Sequence, residues 1–380
     1  MSACVAIAGA AESDLGEVGP GFTPTDLMVQ ASLRALEDCG LQATDVDGLF
    51  AATTQLPMPV LNLGAALGIE PRYSDCTQIG GSSPIAHLDH ARAAIGAGLC
   101  DVALIAYGST QRSVGRAAAS VQEISAYEAP YRPALPIAAY ALSAARHMYE
   151  FGTTPEQLAE VAVSARGWAQ LNQRAWSRDP LTISDVLAAP RVCDPLGVRD
   201  CCLVTDGGGA IVVVGSERAR TLRRAPVHLL GAGQAHWHRH ISEMGDLVRT
   251  AASQSGARAF GEAGLGPADV DVLGLYDAFT ITPILFLEDL GFCPKGDGGP
   301  FVGGGRTGPG GPLPVNTNGG GLSYQHPGMY GMLLLVEVVR QLRGECGERQ
   351  VDDCHVALAH GNGGVLSSQC TALLGDDSTV

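Results

Sequence analysis

Aromatic residues are scarce, at 5% of 380 residues, and charged residues reach only 17%. Charge of one sign is also short. There are 24 Lys and Arg against 39 Asp and Glu, a formal net charge of −15. The densest basic stretch, Arg218 to Arg224, reads as a solvated linker. Nucleic-acid binding is excluded as a main role, because that affinity comes largely from Lys and Arg neutralising phosphates. No apolar run approaches the roughly 20 residues of a membrane span. The 11 cysteines are odd in number and contain no C-x-x-C pair, which speaks against both a zinc site and a disulfide framework. Reduced thiols and a cytoplasmic location are the expectation. No basic residue precedes Arg34, so the apolar start Cys4 to Ala10 reads as a buried first strand rather than a leader.

What is abundant is small and apolar. Fifty residues are Gly and 46% are hydrophobic. With charge this low and apolar content near the globular average, disorder is not expected. The length is ample for a large core. Many glycines also suggest backbone that packs near a ligand.

A repeat runs through the chain. Ala35 to Leu41, followed by Asp45-Val46-Asp47, matches Ala259 to Leu265, followed by Asp269-Val270-Asp271, at an offset of 224. Each copy reads as an amphipathic helix, a Gly at its C-terminal stop and a D-V-D lead into an apolar strand. Later elements echo too. Asp101 to Gly108 and Val356 to Gly361 both read as buried strands. Two matches in the same order favour internal duplication. Alternating strands and helices imply parallel strands covered by helices. The expected halves are 1–108 with 196–215, and 225–380. Residues 109–195 break the pattern as a loop-domain insertion, with helices at Ala138–Phe151 and Pro155–Asn172, the second capped by Thr154.

Four motifs could carry chemistry. Asn316 to Gly331 reads N-T-N-G-G-G-L-S-Y-Q-H-P-G-M-Y-G, and a helix Met332–Arg343 follows. Its glycines, Gly320 and Gly321 among them, allow close backbone approach to a ligand. His326 falls beside a helix N-terminus, which favours an oxyanion. An isolated H-P-G is more often a plain turn, but this density of Gly, Asn and Tyr is not plain. Tyr276-Asp277-Ala278-Phe279 ends a strand, where α/β sheets place function; the alternative is Tyr276 as core filler. His360-Gly361-Asn362-Gly363-Gly364 is expected at another strand end. Gln78 to Pro84 reads Q-I-G-G-S-S-P, with Ser83 as a cap.

Together these motifs resemble the thiolase superfamily, in particular its sterol-carrier-protein-type members and the lipid-transfer-protein homologues of actinobacteria. Nearly the whole chain is covered. The resemblance implies a duplicated α/β subunit in five αβαβα layers, a homodimer, and acyl-CoA as substrate with no permanently bound cofactor or metal. His326 matches the G-H-P histidine, which helps form the family's oxyanion hole. Tyr276 stands where the family has Asn or His. His360 fits the sterol-carrier branch. CoA is expected against the loop domain and first half, with Arg112, Arg116 and Arg132 as candidates for its phosphates; for each, ordinary surface charge is an equal alternative.

One departure dominates. The family's nucleophilic cysteine lies three residues before G-S-S, and Gln78 stands there. Cys76 is two residues out of register. A nucleophile must lie within hydrogen-bond reach of its base, so acyl-enzyme chemistry is doubtful. Lacking that thiol and carrying Y-D-x-F and H-P-G-M-Y-G, the chain resembles the aldolases that shorten steroid side chains. They release a 17-ketosteroid and propionyl-CoA, and work with an OB-fold partner that sometimes carries a zinc ribbon. The resemblance places the catalytic tyrosines at Tyr276 and Tyr330, with Tyr324 in reserve, and does not decide which is the base. Two rivals stay open: an acyltransferase or thiolase using Cys76, and a non-catalytic lipid-binding subunit.

Overall fold

In the computed structural model, residues 4–115 and 124–380 are described. The apolar start forms strand β1 (Val5–Glu12), buried along its whole length. Ten more strands follow among the described residues: β2 (Gly48–Ala52), β3 (Tyr73–Asp75), β4 (Val102–Ser109), β5 (Arg191–Cys193), β6 (Leu196–Gly197), β7 (Gly207–Gly215), β8 (Val227–His236), β9 (Val272–Leu275), β10 (Val356–Gly363) and β11 (Ser368–Gly375). Nine of them make one sheet in the order β3-β2-β4-β7-β1-β8-β11-β10-β9.

The duplication is visible in this order. In the first half β1 runs antiparallel to β7, β7 antiparallel to β4, and β4 parallel to β2. In the second half β8 runs antiparallel to β11, β11 antiparallel to β10, and β10 parallel to β9. Val315 extends that edge by a parallel bridge to Leu273. The halves meet along β1 and β8, through Ala6 with His228 and Ile7 with Val227.

Helices supply the other layers. Helix α1 (Pro24–Cys39) lies on one face of β1, β7 and β4. Helix α3 (Ser83–Gly96), which follows α2 (Pro59–Leu67), touches β4 of the first half and β10 of the second. The helix Gly331–Leu342 likewise touches β7 and β10, and packs on α3. These two helices therefore form a middle layer between the halves of the sheet. The helix Ala252–Ala263 covers β8 and β11 from outside. The result is the five-layered αβαβα arrangement.

The repeated segments adopt the same local structure. Pro24–Cys39 ends at Gly40 and Ala252–Ala263 ends at Gly264, both with left-handed φ, 79° and 67°. Glycine tolerates this at no steric cost. Each helix leads through a short 3₁₀ turn into a strand. Between the halves, the insertion carries helices Ile137–Phe151 and Pro155–Gln170. Thr154 caps the second, its side chain accepting from the Gln157 N–H. The β5–β6 ribbon spans the expected boundary at residue 195. Among the described residues, no helix is long and apolar enough to cross a membrane.

Two local expectations are corrected. Ser83 is the first residue of α3 rather than its cap, and its hydroxyl accepts from the Ile79 N–H at 3.1 Å. His360 lies inside β10, not at its end, because the strand runs on to Gly363.

Candidate active site

Strand β9 stops at Leu275 and delivers Tyr276 to the tip of the second half. The H-P-G turn meets it there. The Tyr276 hydroxyl donates to the Gly328 carbonyl and accepts from the Tyr330 N–H at 3.4 Å. It also lies 3.1 Å from His326 Nε2. The rings of Tyr276, His326 and Tyr330 pack on one another, with centroids 5.5 to 6.0 Å apart. All three are buried: Tyr330 is 0% exposed, Tyr276 4% and His326 9%. The loop of the first half closes on them. A Cβ at Gly81 would fall 2.0 Å from Tyr276 Cε2, so only glycine lets that loop approach.

Burial sets the electrostatics. It pushes the Tyr276 and Tyr330 phenols well above their ordinary value, so neither is a resting phenolate. It pushes the His326 imidazole down to about 4, leaving it neutral at pH 7. Asp277 is fully buried and its carboxyl is pushed up to about 7, despite bonds from the N–H groups of Gly321 (2.6 Å) and Leu322 (3.3 Å).

Other expected residues have other partners. The Tyr324 hydroxyl donates to Glu12 Oε1 at 2.7 Å, and the buried Glu12 carboxylate also pairs with half-exposed Arg174 and with Arg340. Burial opposes the charge on Glu12, yet the two guanidinium groups and this hydroxyl hold it down to about 2. The two ring nitrogens of His360 lie 2.9 Å from Thr371 Oγ1 and Gln369 Oε1, which commits the ring to a strand-to-strand network. Gly320 and Gly321 face Asp277. A Cβ at Gly320 would lie 1.9 Å from its Oδ2, so these glycines make room for a carboxylate of the chain itself. Arg112 pairs with Glu17 at 2.8 Å and lies over the Trp176 ring at 4.7 Å. Arg132 is exposed, and Arg116 lies outside the described residues. Cys76 is exposed.

Sequence reasoning missed three contributors. Tyr107 holds the H-P-G turn, its hydroxyl accepting from the Met329 N–H at 2.9 Å and donating to the Pro327 carbonyl. Asn318 Oδ1 accepts from the Tyr330 hydroxyl at 2.8 Å and from the Gly320 N–H at 2.9 Å. Cys202 lies near enough to disfavour charge on Tyr276, and burial pushes its own thiol far up, away from the nucleophilic thiolate. The signal for Asn318 was present in its motif; Tyr107 read only as part of a buried strand. Among the described residues, no three His, Cys, Asp or Glu are grouped to hold a metal ion. A cavity of about 520 Å³ opens elsewhere, between Cys4, Arg92, His228 and Val380. Titratable side chains converge instead at the Tyr276 cluster, the candidate site, which cavity size does not measure.

A duplicated five-layered fold with a Tyr–His–Tyr cluster at its second tip defines a thiolase-fold protein. The comparisons agree. Residues 233–376 match the family described as thiolase C-terminal domain-like. The chain is 33% identical to the 17-hydroxy-3-oxo-4-pregnene-20-carboxyl-CoA lyase of Mycobacterium tuberculosis, covering 96% of this chain and 97% of that one. It is also 33% identical to an acetyl-CoA acetyltransferase of Methanothermobacter thermautotrophicus, covering 95% and 96%. A solved Ltp2-ChsH2(DUF35) aldolase superposes with a TM-score of 0.88 at 31% identity, over 99% of this chain and 98% of that one. The chain belongs to the thiolase family.

Proposed function

We propose that the protein cleaves a carbon–carbon bond of a β-hydroxy acyl-CoA by a retro-aldol reaction. The observation that carries this is the contact between the Tyr276 hydroxyl and His326 Nε2 inside a buried cluster. The position that would need a thiol for acyl transfer holds Gln78. Identity alone does not choose, since a lyase and an acetyltransferase are equally similar.

A phenol held above its ordinary pKa is a poor base by itself. With His326 neutral and its Nε2 unprotonated, the pair works as a relay once the Tyr276 O–H turns from the Gly328 carbonyl to Nε2. The substrate hydroxyl gives its proton to the Tyr276 oxygen while the Tyr276 proton passes to His326 Nε2. The hydroxyl carbon becomes a ketone, the bond to the α-carbon breaks, and its electrons collect on the thioester oxygen as an enolate. The new imidazolium donates to that oxygen, and its proton then goes to the α-carbon. Proton and electron pair both balance. No nucleophile and no bound cofactor is required. Charge appears on the imidazolium as it appears on the enolate, where a placed donor is worth most.

The substrate we propose is a 17-hydroxy steroid side-chain thioester, giving a 17-ketosteroid and propionyl-CoA. The similarity to the lyase and to a steroid side-chain-cleaving aldolase of Thermomonospora curvata, 31% identical, supports this. We also propose that it works as a homodimer with an OB-fold partner, on the support of the two-protein aldolase it superposes on. The test is incubation, with and without such a partner, with 17-hydroxy-3-oxo-4-pregnene-20-carboxyl-CoA. Propionyl-CoA and the ketosteroid should appear together by mass spectrometry. Absence of both under both conditions, with an acyl adduct trapped on Cys76 from acetyl-CoA, would restore the acyltransferase reading.

A further inference from the structure

The turn that carries the cluster is gripped from two sides. From the second half, the Tyr276 phenol holds the Gly328 carbonyl and the Tyr330 N–H. From the first half, the Tyr107 phenol on β4 holds the Pro327 carbonyl and the Met329 N–H. Four polar groups of one short turn are thus shared between two hydroxyls that arrive from opposite halves. Tyr107 is 1% exposed. Gly328 passes between the grips with φ 110°, and a Cβ there would lie 2.9 Å from the Tyr107 hydroxyl oxygen. The backbone of His326 is held as well, from the insertion and from the first half. Gln111 Nε2 donates to its carbonyl, and its N–H donates to Thr205 Oγ1 at 2.9 Å.

We propose that Tyr107 is a positioning residue: the first half, whose tip lacks the nucleophile, serves as the jig that fixes the His326–Tyr276 contact. This rests on the retro-aldol reading. The chemistry of a phenol suits the task. One O–H satisfies a carbonyl and the lone pairs satisfy an N–H two residues on. Phenylalanine would leave both groups buried and unpaired, which the turn relieves by moving. His326 then moves with it. Tyr107 stays a donor at neutral pH because burial pushes its phenol up to about 12.

A displacement near 1 Å at a reacting group can cost about 10²-fold in rate. Tyr107→Phe should therefore lower kcat by about 10- to 100-fold with KM within about two-fold, because Tyr107 acts through His326 and not on the substrate. In a Tyr276→Phe background the same change should cost almost nothing, since the contact it positions is gone. Ring-nitrogen NMR signals of His326 should shift, and the Met329 amide should exchange faster. An unchanged kcat, an equal loss in both backgrounds, or a loss of kcat that only follows a lowered Tm would overturn the proposal. Should Tyr107→Phe fail to fold, Gln111→Met removes the neighbouring grip on the His326 carbonyl and is read the same way. If the wild type turns over no β-hydroxy acyl-CoA, the aldolase reading falls, and the NMR shift and amide exchange still decide the clamp.

Discussion

In the first half, Asp47 accepts from the N–H groups of Asp101 and Val102, both at 2.8 Å. In the second, Asp271 accepts from those of His355 and Val356 at 2.8 and 2.9 Å. The two copies keep the same carboxylate stitch at the foot of their parallel strands. At the tips they differ. The first presents Gln78, Gly80 and Gly81, backbone and little else. The second presents Tyr276, His326 and Tyr330. Duplication has preserved what the backbone needs and left the loops free to diverge, as expected where loops carry function on a rigid scaffold.

The largest test of this asymmetry is chemical. Tyr276→Phe should lower turnover by about 10²–10⁴-fold, the usual cost of losing a general base. Tyr330→Phe should cost less, because the Tyr330 hydroxyl is committed to Asn318; single-turnover kinetics on both variants ranks them. His326→Ala should cost about 10²–10³-fold, the scale of a lost oxyanion donor. A tip of the first half that matched these losses in kcat through its own polar side chain, Gln78, would break the comparison.

A smaller effect concerns packing across the halves. Gly81→Ala sets a methyl against the Tyr276 ring, and overpacking of this kind costs about 1–3 kcal/mol. Chemical denaturation should show it, with activity falling in step.

The next effect is a slope with pH. Burial pushes His87, His326 and His360 down to about 3, 4 and 4. The unfolded chain binds protons that these sites refuse, so their contribution is lost as pH falls from 6.5 toward 4. Asp277 opposes them. Raised to about 7, it holds a proton that the unfolded chain releases, so its contribution is lost as pH rises through the window from about 4 to 7. Asp277→Asn removes the opposing slope. Tm should then climb more steeply between pH 5 and pH 7 than in the wild type, whatever the absolute loss of stability. A shallower climb would contradict the assignment.

The smallest effect is the most diagnostic. Cys76→Ala should change carbon–carbon cleavage by less than about two-fold, since the proposed reaction needs no acyl-enzyme and the thiol is exposed. A dead Cys76→Ala enzyme beside an active Tyr276→Phe one would reverse the roles of the two halves.

The sequence by itself determined the duplication, the helix stops at Gly40 and Gly264, the buried first strand and the position of the Y-D-A-F and H-P-G motifs. These are local: caps, left-handed glycines and apolar runs act within a few residues, and the D-V-D repeat stands in the text of the chain. Tertiary structure decided which polar atom answers which. Tyr324 reaches Glu12, 312 residues away in the chain, instead of joining Tyr276. Tyr107 reaches Pro327 across 220 residues and becomes part of the site. His360 turns to Thr371 and Gln369 on the neighbouring strand, and Gly320 and Gly321 receive Asp277. Tyr107, Tyr276, Tyr324 and Tyr330, all buried, look alike in a sequence. Each phenol must find a partner when it leaves water, and the partner is set by sheet order and layer packing, which bring distant residues within 3 Å without leaving any periodic trace.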